Sequence, residues 1–193
     1  MNLLGILAAD PPIQKVDLPK VDWAALSPIL ILIGGALVLL IAGSLLRGPR
    51  ARKVYGPYSA LVALAAGIAT IPQWHKVQDH GAFSTVAGMV GVDGFALFAT
   101  ATICAASFLA VLFLDGYLVR EDLVGIEPFV LLLISASGAV VMASANDLIV
   151  MFLGLEIMSI AVYVLAGSHL RRARSSEAAL KYFILGGLSS AFF

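Results

Sequence analysis

Two charged residues stand where charge is expensive. Glu156 lies near the centre of the apolar run from Leu148 to Ser168, and Lys181 lies in the second turn of a run that opens near Ser176. An ionised carboxylate at the centre of a membrane helix costs roughly 2.5–3.5 kcal/mol, judged by comparable charges, and a neutral carboxyl still needs a hydrogen-bond partner. Burial favours the protonated carboxyl and an adjacent cation favours the ionised one. A buried glutamate beside a lysine can therefore take up or release a proton as the cation approaches or withdraws. That is the physics of a proton relay, and the alternative is a structural hydrogen bond or ion pair that pins two helices together. Lys181 follows Arg174 by about 10 Å of helix, so its stem can also snorkel to the interface. Antiparallel packing of the two runs leaves Glu156 and Lys181 about 9 Å apart in depth.

The other polar residues have simpler readings. Asn146 and Asp147 form a tight turn, with Asp147 as the N-cap of the helix that carries Glu156. Ser175, before Ser176 and Glu177, is expected to cap the next helix, and Glu177 is given no proton role. Asp93 and Asp115 bracket a third apolar run. His169 follows the Glu156 run, where an imidazolium suits a helix C-terminus; proton uptake is the rarer alternative. One cysteine, Cys104, and three scattered histidines, His75, His80 and His169, supply no thiolate cluster and no metal-ligand spacing. Redox cofactors are not expected on this chain.

The elements that must position these residues are membrane helices. The 193 residues are 61% hydrophobic and 12% charged, with a mean hydropathy of +1.00, outside the range of soluble domains. Basic and acidic residues balance at 12 each, which gives no footprint for nucleic acid. Charge-free gaps from Asp22 to Arg47, Lys53 to Lys76, Asp93 to Asp115 and Glu127 to Asp147 predict four spans, since a crossing needs about 20 apolar residues. The Glu156 run is a fifth and the Lys181 run the start of a sixth. Continuous rather than alternating apolarity specifies helices instead of a barrel, so the fold class is all-α, a polytopic transmembrane bundle.

Ser27-Pro28, Gly56-Pro57 and Glu127-Pro128 place proline in first helical turns, with Pro72 at the far end of the second span. Trp23, Tyr55, Tyr58 and Trp74 fall at span ends. Small residues at packing spacing, Ser135, Ala139 and Ala143 on the fourth span and Gly186 with Ser190 on the sixth, predict close helix contacts. With the N-terminus outside, the inner loops carry Arg47, Arg50, Arg52, Lys53, Arg120, Arg171, Arg172 and Arg174, and the outer segments carry only Lys15, Lys20 and Lys76. That excess favours N-outside. Met1 to Ala9 is apolar but lacks a basic flank, so no cleavable signal is expected. The last run reaches Phe193 with no cap or polar tail, which reads as a fragment.

Three segments together carry a family resemblance: Ala143-Ser144-Ala145-Asn146-Asp147-Leu148, Phe152-Leu153-Gly154-Leu155-Glu156-Ile157-Met158-Ser159, and Arg174-Ser175-Ser176-Glu177-Ala178-Ala179-Leu180-Lys181-Tyr182-Phe183. Val92-Asp93-Gly94-Phe95-Ala96-Leu97-Phe98 supports them. The chain resembles the subunit N family of bacterial respiratory complex I, NADH-quinone oxidoreductase. The resemblance is strong from about Val92 onward and, over the first two spans, one of layout. It implies a proton-translocating, antiporter-like membrane subunit of the bacterial inner membrane. About five and a half of roughly fourteen helices are present. Residues 1–115 would hold the introductory helices and 116–193 the opening of the proton-translocating repeat. It further implies proton transfer through Glu156 and Lys181, with FMN, iron–sulfur clusters and quinone on other subunits. Adjacent antiporter-like and small membrane subunits would be its partners. The competing readings are a subunit of a multi-subunit sodium/proton antiporter and a purely structural membrane subunit.

Overall fold

The computed structural model describes residues 21–45, 49–121, 123, 125–169 and 171–193, and the side chains of 49–52 are not described. Met1 to Ala9, Lys15, Lys20 and Arg47 lie outside the described residues. The elements are α1 (Ser27–Leu45), α2 (Pro49–Ile68), α3 (Thr70–His80), β1 (Phe83–Thr85), β2 (Val90–Val92), α4 (Gly94–Arg120), α5 (Glu127–Ala143), α6 (Leu148–Ala166) and α7 (Ala173–Ser190). Four stretches are long and apolar enough to cross a membrane: Ser27–Leu45, Lys53–His80, Gly94–Arg120 and Leu148–Ala166. Helix α5 is a shorter apolar helix of 17 residues.

The core follows helical spacing. Leu32, Ala36 and Leu39 of α1 meet Ala60, Ala63 and Ala66 of α2, Cys104, Val111 and Leu118 of α4, and Phe129, Leu133, Ala136 and Val140 of α5. Positions three, four or seven apart lie on one helix face, so each helix gives one stripe to the bundle. The opposite faces carry exposed Leu37, Ile41, Leu64, Phe98, Phe113 and Leu185. In water such faces would be a liability, and against lipid they are the expected surface.

Several details depart from the sequence reading. The second span is broken at Ala69 into α2 and α3. Pro72 is the third residue of α3 and cannot donate a hydrogen bond to Ile68, while Thr70 Oγ1 donates to Gly67 O at 2.7 Å. Pro57 lies inside α2, whose helix starts earlier, at Pro49. Asp115 lies within α4, which runs on to Arg120, and its carboxylate packs over Gly56; a Cβ there would stand 2.7 Å from Oδ1. Tyr58 is no interface anchor, because its hydroxyl donates to Gly35 O at 3.2 Å between α2 and α1.

The bundle is not purely helical. β1 and β2 form an antiparallel hairpin, pairing Phe83 with Val92 and Thr85 with Val90. Its turn puts Val86 at φ 54° and Ala87 at φ 56°, a left-handed conformation that is costly for a β-branched residue. Outside contacts hold the hairpin in place. Gly91 N donates to Ser144 O at 2.8 Å and Asn146 N to Met89 O at 2.9 Å. Asn146 Nδ2 donates to Gly88 O at 2.7 Å, and Asp22 N donates to Thr85 Oγ1 at 2.8 Å. This pairing occupies residues 144–146, which is why α5 stops at Ala143.

Candidate functional site

Helix α6 carries Glu156 as the ninth of its 19 residues. The helix starts at Asp147, whose extended backbone and side chain, accepting from Val150 N at 2.8 Å, make the expected N-cap. Glu156 is half-buried. Its partner is Ser190 near the end of α7, whose Oγ donates to Glu156 Oε1 at 2.5 Å. The sequence marks Ser190 only as a small packing residue. Its spacing of four from Gly186 places both on the face that meets α6, the one signal that points to it.

The geometry of α7 does not bring Lys181 to Glu156. Ala179, Gly186 and Ser190 face Gly167, Tyr163 and Glu156 of the α6 side. Lys181 precedes Ser190 by nine residues, about two and a half turns, and so lies on the opposite face. There its Nζ donates to Glu177 Oε1 at 2.6 Å, with both side chains exposed. Glutamate four residues before lysine is the favourable helical order, worth about 0.3–0.5 kcal/mol. The two residues thus occupy separate settings, one between helices and one on an outer face.

Packing fixes the helix that holds Glu156. A Cβ on Gly138 would lie 2.5 Å from Met158 N and 2.8 Å from Gly154 O, and one on Gly154 would lie 2.6 Å from Met142 N. Helices α5 and α6 therefore meet backbone to backbone. The expected stripe of Ser135, Ala139 and Ala143 is displaced: Ser135 Oγ does reach Met158 O at 3.4 Å, but the close approach is made by the glycines. Tyr163 fills the α6–α7 seam, edge-on to Tyr182 at 5.2 Å and to Phe183 at 6.0 Å.

At the other end of α6, His169 does not cap the helix. It stands three residues beyond Ala166, with Nε2 3.5 Å from Glu121 Oε2, while Arg172 Nη2 donates to the same oxygen at 2.6 Å. Nor does Ser175 cap α7. The N-cap is Arg172, and Ser175 Oγ donates to Ala166 O at 2.6 Å, closing the α6–α7 connection. Asp93 caps α4, accepting from Ala96 N at 2.7 Å. Among the described residues no group of three His, Cys, Asp or Glu side chains is placed to hold a metal ion.

Residues 145–193, which include Glu156 and Lys181, match the NADH:quinone oxidoreductase/Mrp antiporter transmembrane family. Together with a bundle of apolar helices and a mid-span carboxyl, this defines an antiporter-like membrane subunit. The chain is 38% identical over 177 residues to NADH-quinone oxidoreductase subunit N of Gemmatimonas aurantiaca, covering 87% of this chain and 33% of that one. It is 39% identical over 165 residues to the subunit N of Methylobacterium nodulans, covering 84% and 33%. Within the antiporter-like class, the chain belongs to the subunit N family of NADH-quinone oxidoreductases. Its fold is similar to a chain of respiratory complex I from Thermus thermophilus with bound aureothin, with a TM-score of 0.67 and 28% identity, covering 86% of this chain and 34% of that one. The chain spans about a third of the length of the curated relatives it matches.

Proposed function

We propose that this chain supplies part of the proton path of a non-redox membrane subunit of an NADH-quinone oxidoreductase. That assembly couples electron transfer from NADH to quinone to proton transport. The observation that carries the reading is Glu156: a carboxyl at the middle of an apolar span, hydrogen-bonded across helices to a serine and with no cation paired to it among the described residues. A hydroxyl partner serves both protonation states, donating to the carboxylate or accepting from the acid. A tight ion pair would hold the carboxylate charged. The second proton-path residue, Lys181, would act after release from Glu177, toward groups on other helices or subunits rather than toward Glu156.

The remaining assignments are part of the same proposal. FMN, iron–sulfur clusters and the quinone site belong to other subunits, and the partners are neighbouring membrane-arm subunits. Residues 1–115 form the introductory segment and 116–193 open the proton-translocating repeat. The membrane is the bacterial inner membrane with the N-terminus outside, which the loop basic residues favour. The family that matches residues 145–193 also covers Mrp antiporters, so sodium/proton exchange is the second reading; the subunit N relatives favour the first.

The test is Glu156→Gln in the full-length subunit, with NADH-driven proton uptake measured in membrane vesicles. Loss of most pumping in an assembled complex is expected. Unchanged pumping would remove the carboxyl from the path, and sodium/proton exchange without NADH dependence would favour the antiporter.

A further inference from the structure

A cavity of about 590 Å³ opens where α4 ends, α5 begins and α6 ends, at one boundary of the apolar spans. Its walls include Pro128, Leu131 and Val164, and its rim carries Ser168, Glu127 and Arg171. Both charged side chains at this rim, Glu127 and Arg171, are exposed. Nearby Glu121 is satisfied by Arg172 and faces His169. Among the described residues, Arg171 and Glu127 have no hydrogen-bond or ion-pair partner, and they do not pair with each other. Glu127 folds back over Gly125, occupying the place where a Cβ on that residue would sit. Among the described residues the cavity therefore presents a cation, Arg171, and an anion, Glu127, beside apolar walls.

We propose that this cavity binds a zwitterionic aminophospholipid from the bilayer. Its phosphate would meet Arg171 and the Ser168 hydroxyl, its ammonium would meet Glu127, and an acyl chain would lie along Leu131 and Val164. The location suits a lipid, because a headgroup sits where spans meet water and its chains run inward. The charge pattern selects among lipids. Arg171 alone would favour any phosphate, but Glu127 repels a headgroup of net negative charge and rewards one that carries its own amine. A choline headgroup has the positive charge but no N–H to donate to the carboxylate, so it gains less. This inference is independent of the proton role of Glu156.

The experiment uses native membranes from cells expressing the full-length subunit. Phosphatidylethanolamine bearing a photoreactive acyl chain is added, and crosslinks are mapped by mass spectrometry. Label is expected on the peptides containing Leu131 and Val164, displaced by unlabelled phosphatidylethanolamine far better than by phosphatidylglycerol or phosphatidylcholine. Glu127→Gln should cut labelling roughly tenfold for the ethanolamine probe and leave a phosphatidylglycerol probe unchanged or improved, and Arg171→Gln should weaken both. Leu131→Phe, which fills the cavity and leaves both charges, should exclude the probe. Equal labelling by all three lipids would show an ordinary annular contact, and preference for phosphatidylglycerol would show an anionic-lipid site. Either result, or no label at these peptides, overturns the proposal.

Discussion

At the scale of single residues, the bond from Ser190 to Glu156 is the contact on which the proton reading turns, and it can be tested apart from pumping. A hydroxyl donating to a carboxyl contributes about 1 kcal/mol if the acid is neutral and about 1.5–3 kcal/mol if it is charged. Ser190→Ala removes that donor and should move the carboxyl stretch of Glu156 in infrared difference spectra taken with and without turnover. Ser190→Thr keeps a hydroxyl and should restore the wild-type band. An identical band in Ser190→Ala would mean that the serine merely packs against α6. Lys181 offers the contrast. Its visible partner, Glu177, is one turn away on an exposed face, so Glu177→Gln should free the ammonium with little loss of stability.

At the scale of elements, the seam between α5 and α6 decides how firmly Glu156 is held. A methyl at Gly138 would press on the backbone of Met158 and Gly154, not on a side chain that can swing aside. Gly138→Ala should therefore cost about 1–3 kcal/mol, as overpacking does. Gly187→Ala meets nothing within 4 Å and should be neutral or stabilising, since alanine is the better helix former by about 1 kcal/mol. Thermal unfolding of the two variants in the same detergent checks the difference, and equal melting would remove the backbone contact from the account.

The start of α1 gives a second test at this scale. Asp22 Oδ1 accepts from Ala24 N at 3.1 Å and Ala25 N at 3.2 Å, and Oδ2 accepts from Lys76 Nζ at 2.6 Å. The Lys76 hydrogen bond, followed by that of the Ala25 amide, holds the carboxyl below its usual 3.8. Because the folded value is depressed, this stabilisation is fully present above about 3.8 and is lost as pH falls through the folded value. The pair is exposed, so it is worth less than about 1 kcal/mol. Amide exchange at Ala24 and Ala25, corrected for intrinsic rate, should accelerate in that acid range in the wild type and show no such transition in Asp22→Asn.

These elements also show what could be read in advance. Long charge-free runs and the Asp147 cap were legible because the cost of charge in lipid and the chemistry of a cap act locally. The partner of Glu156 was not, because the pairing depends on the rotation of α7, which is set by Gly186 against Tyr163 and Ala179 against Gly167. The hairpin is not legible in the sequence, because strands of three residues carry too little period. Gln73 carries no local signal because its partners are distant in sequence. It is buried and donates to Ala24 O at 2.9 Å and Ser27 Oγ at 3.1 Å, joining α3 to α1 across 46 or more residues.

At the scale of the whole molecule, the question is whether α5 crosses the membrane. Its 17 residues reach about 26 Å, short of a hydrocarbon core of about 30 Å. The shortfall is small. Ser144 is the C-cap of α5, and at the same end the chain is tied through Ser144 and Asn146 to the hairpin that precedes α4. That tie returns the chain to the side where α4 began, which requires α5 to cross. Cysteine reporters at two exposed serines decide it, with Cys104 silent because it is buried. Ser84→Cys lies in β1 and Ser176→Cys in α7, separated by α4, α5 and α6. Three crossings put the two reporters on opposite faces; two crossings, with α5 re-entrant, put them on the same face. If the N-terminus is outside, as proposed, a membrane-impermeant maleimide labels Ser84→Cys in intact spheroplasts and reaches Ser176→Cys only after permeabilisation. The reverse pattern would invert the orientation and leave the fold intact. Labelling of both from one side would mean that α5 does not span, and the order of crossings that carries Glu156 to mid-membrane would have to be redrawn.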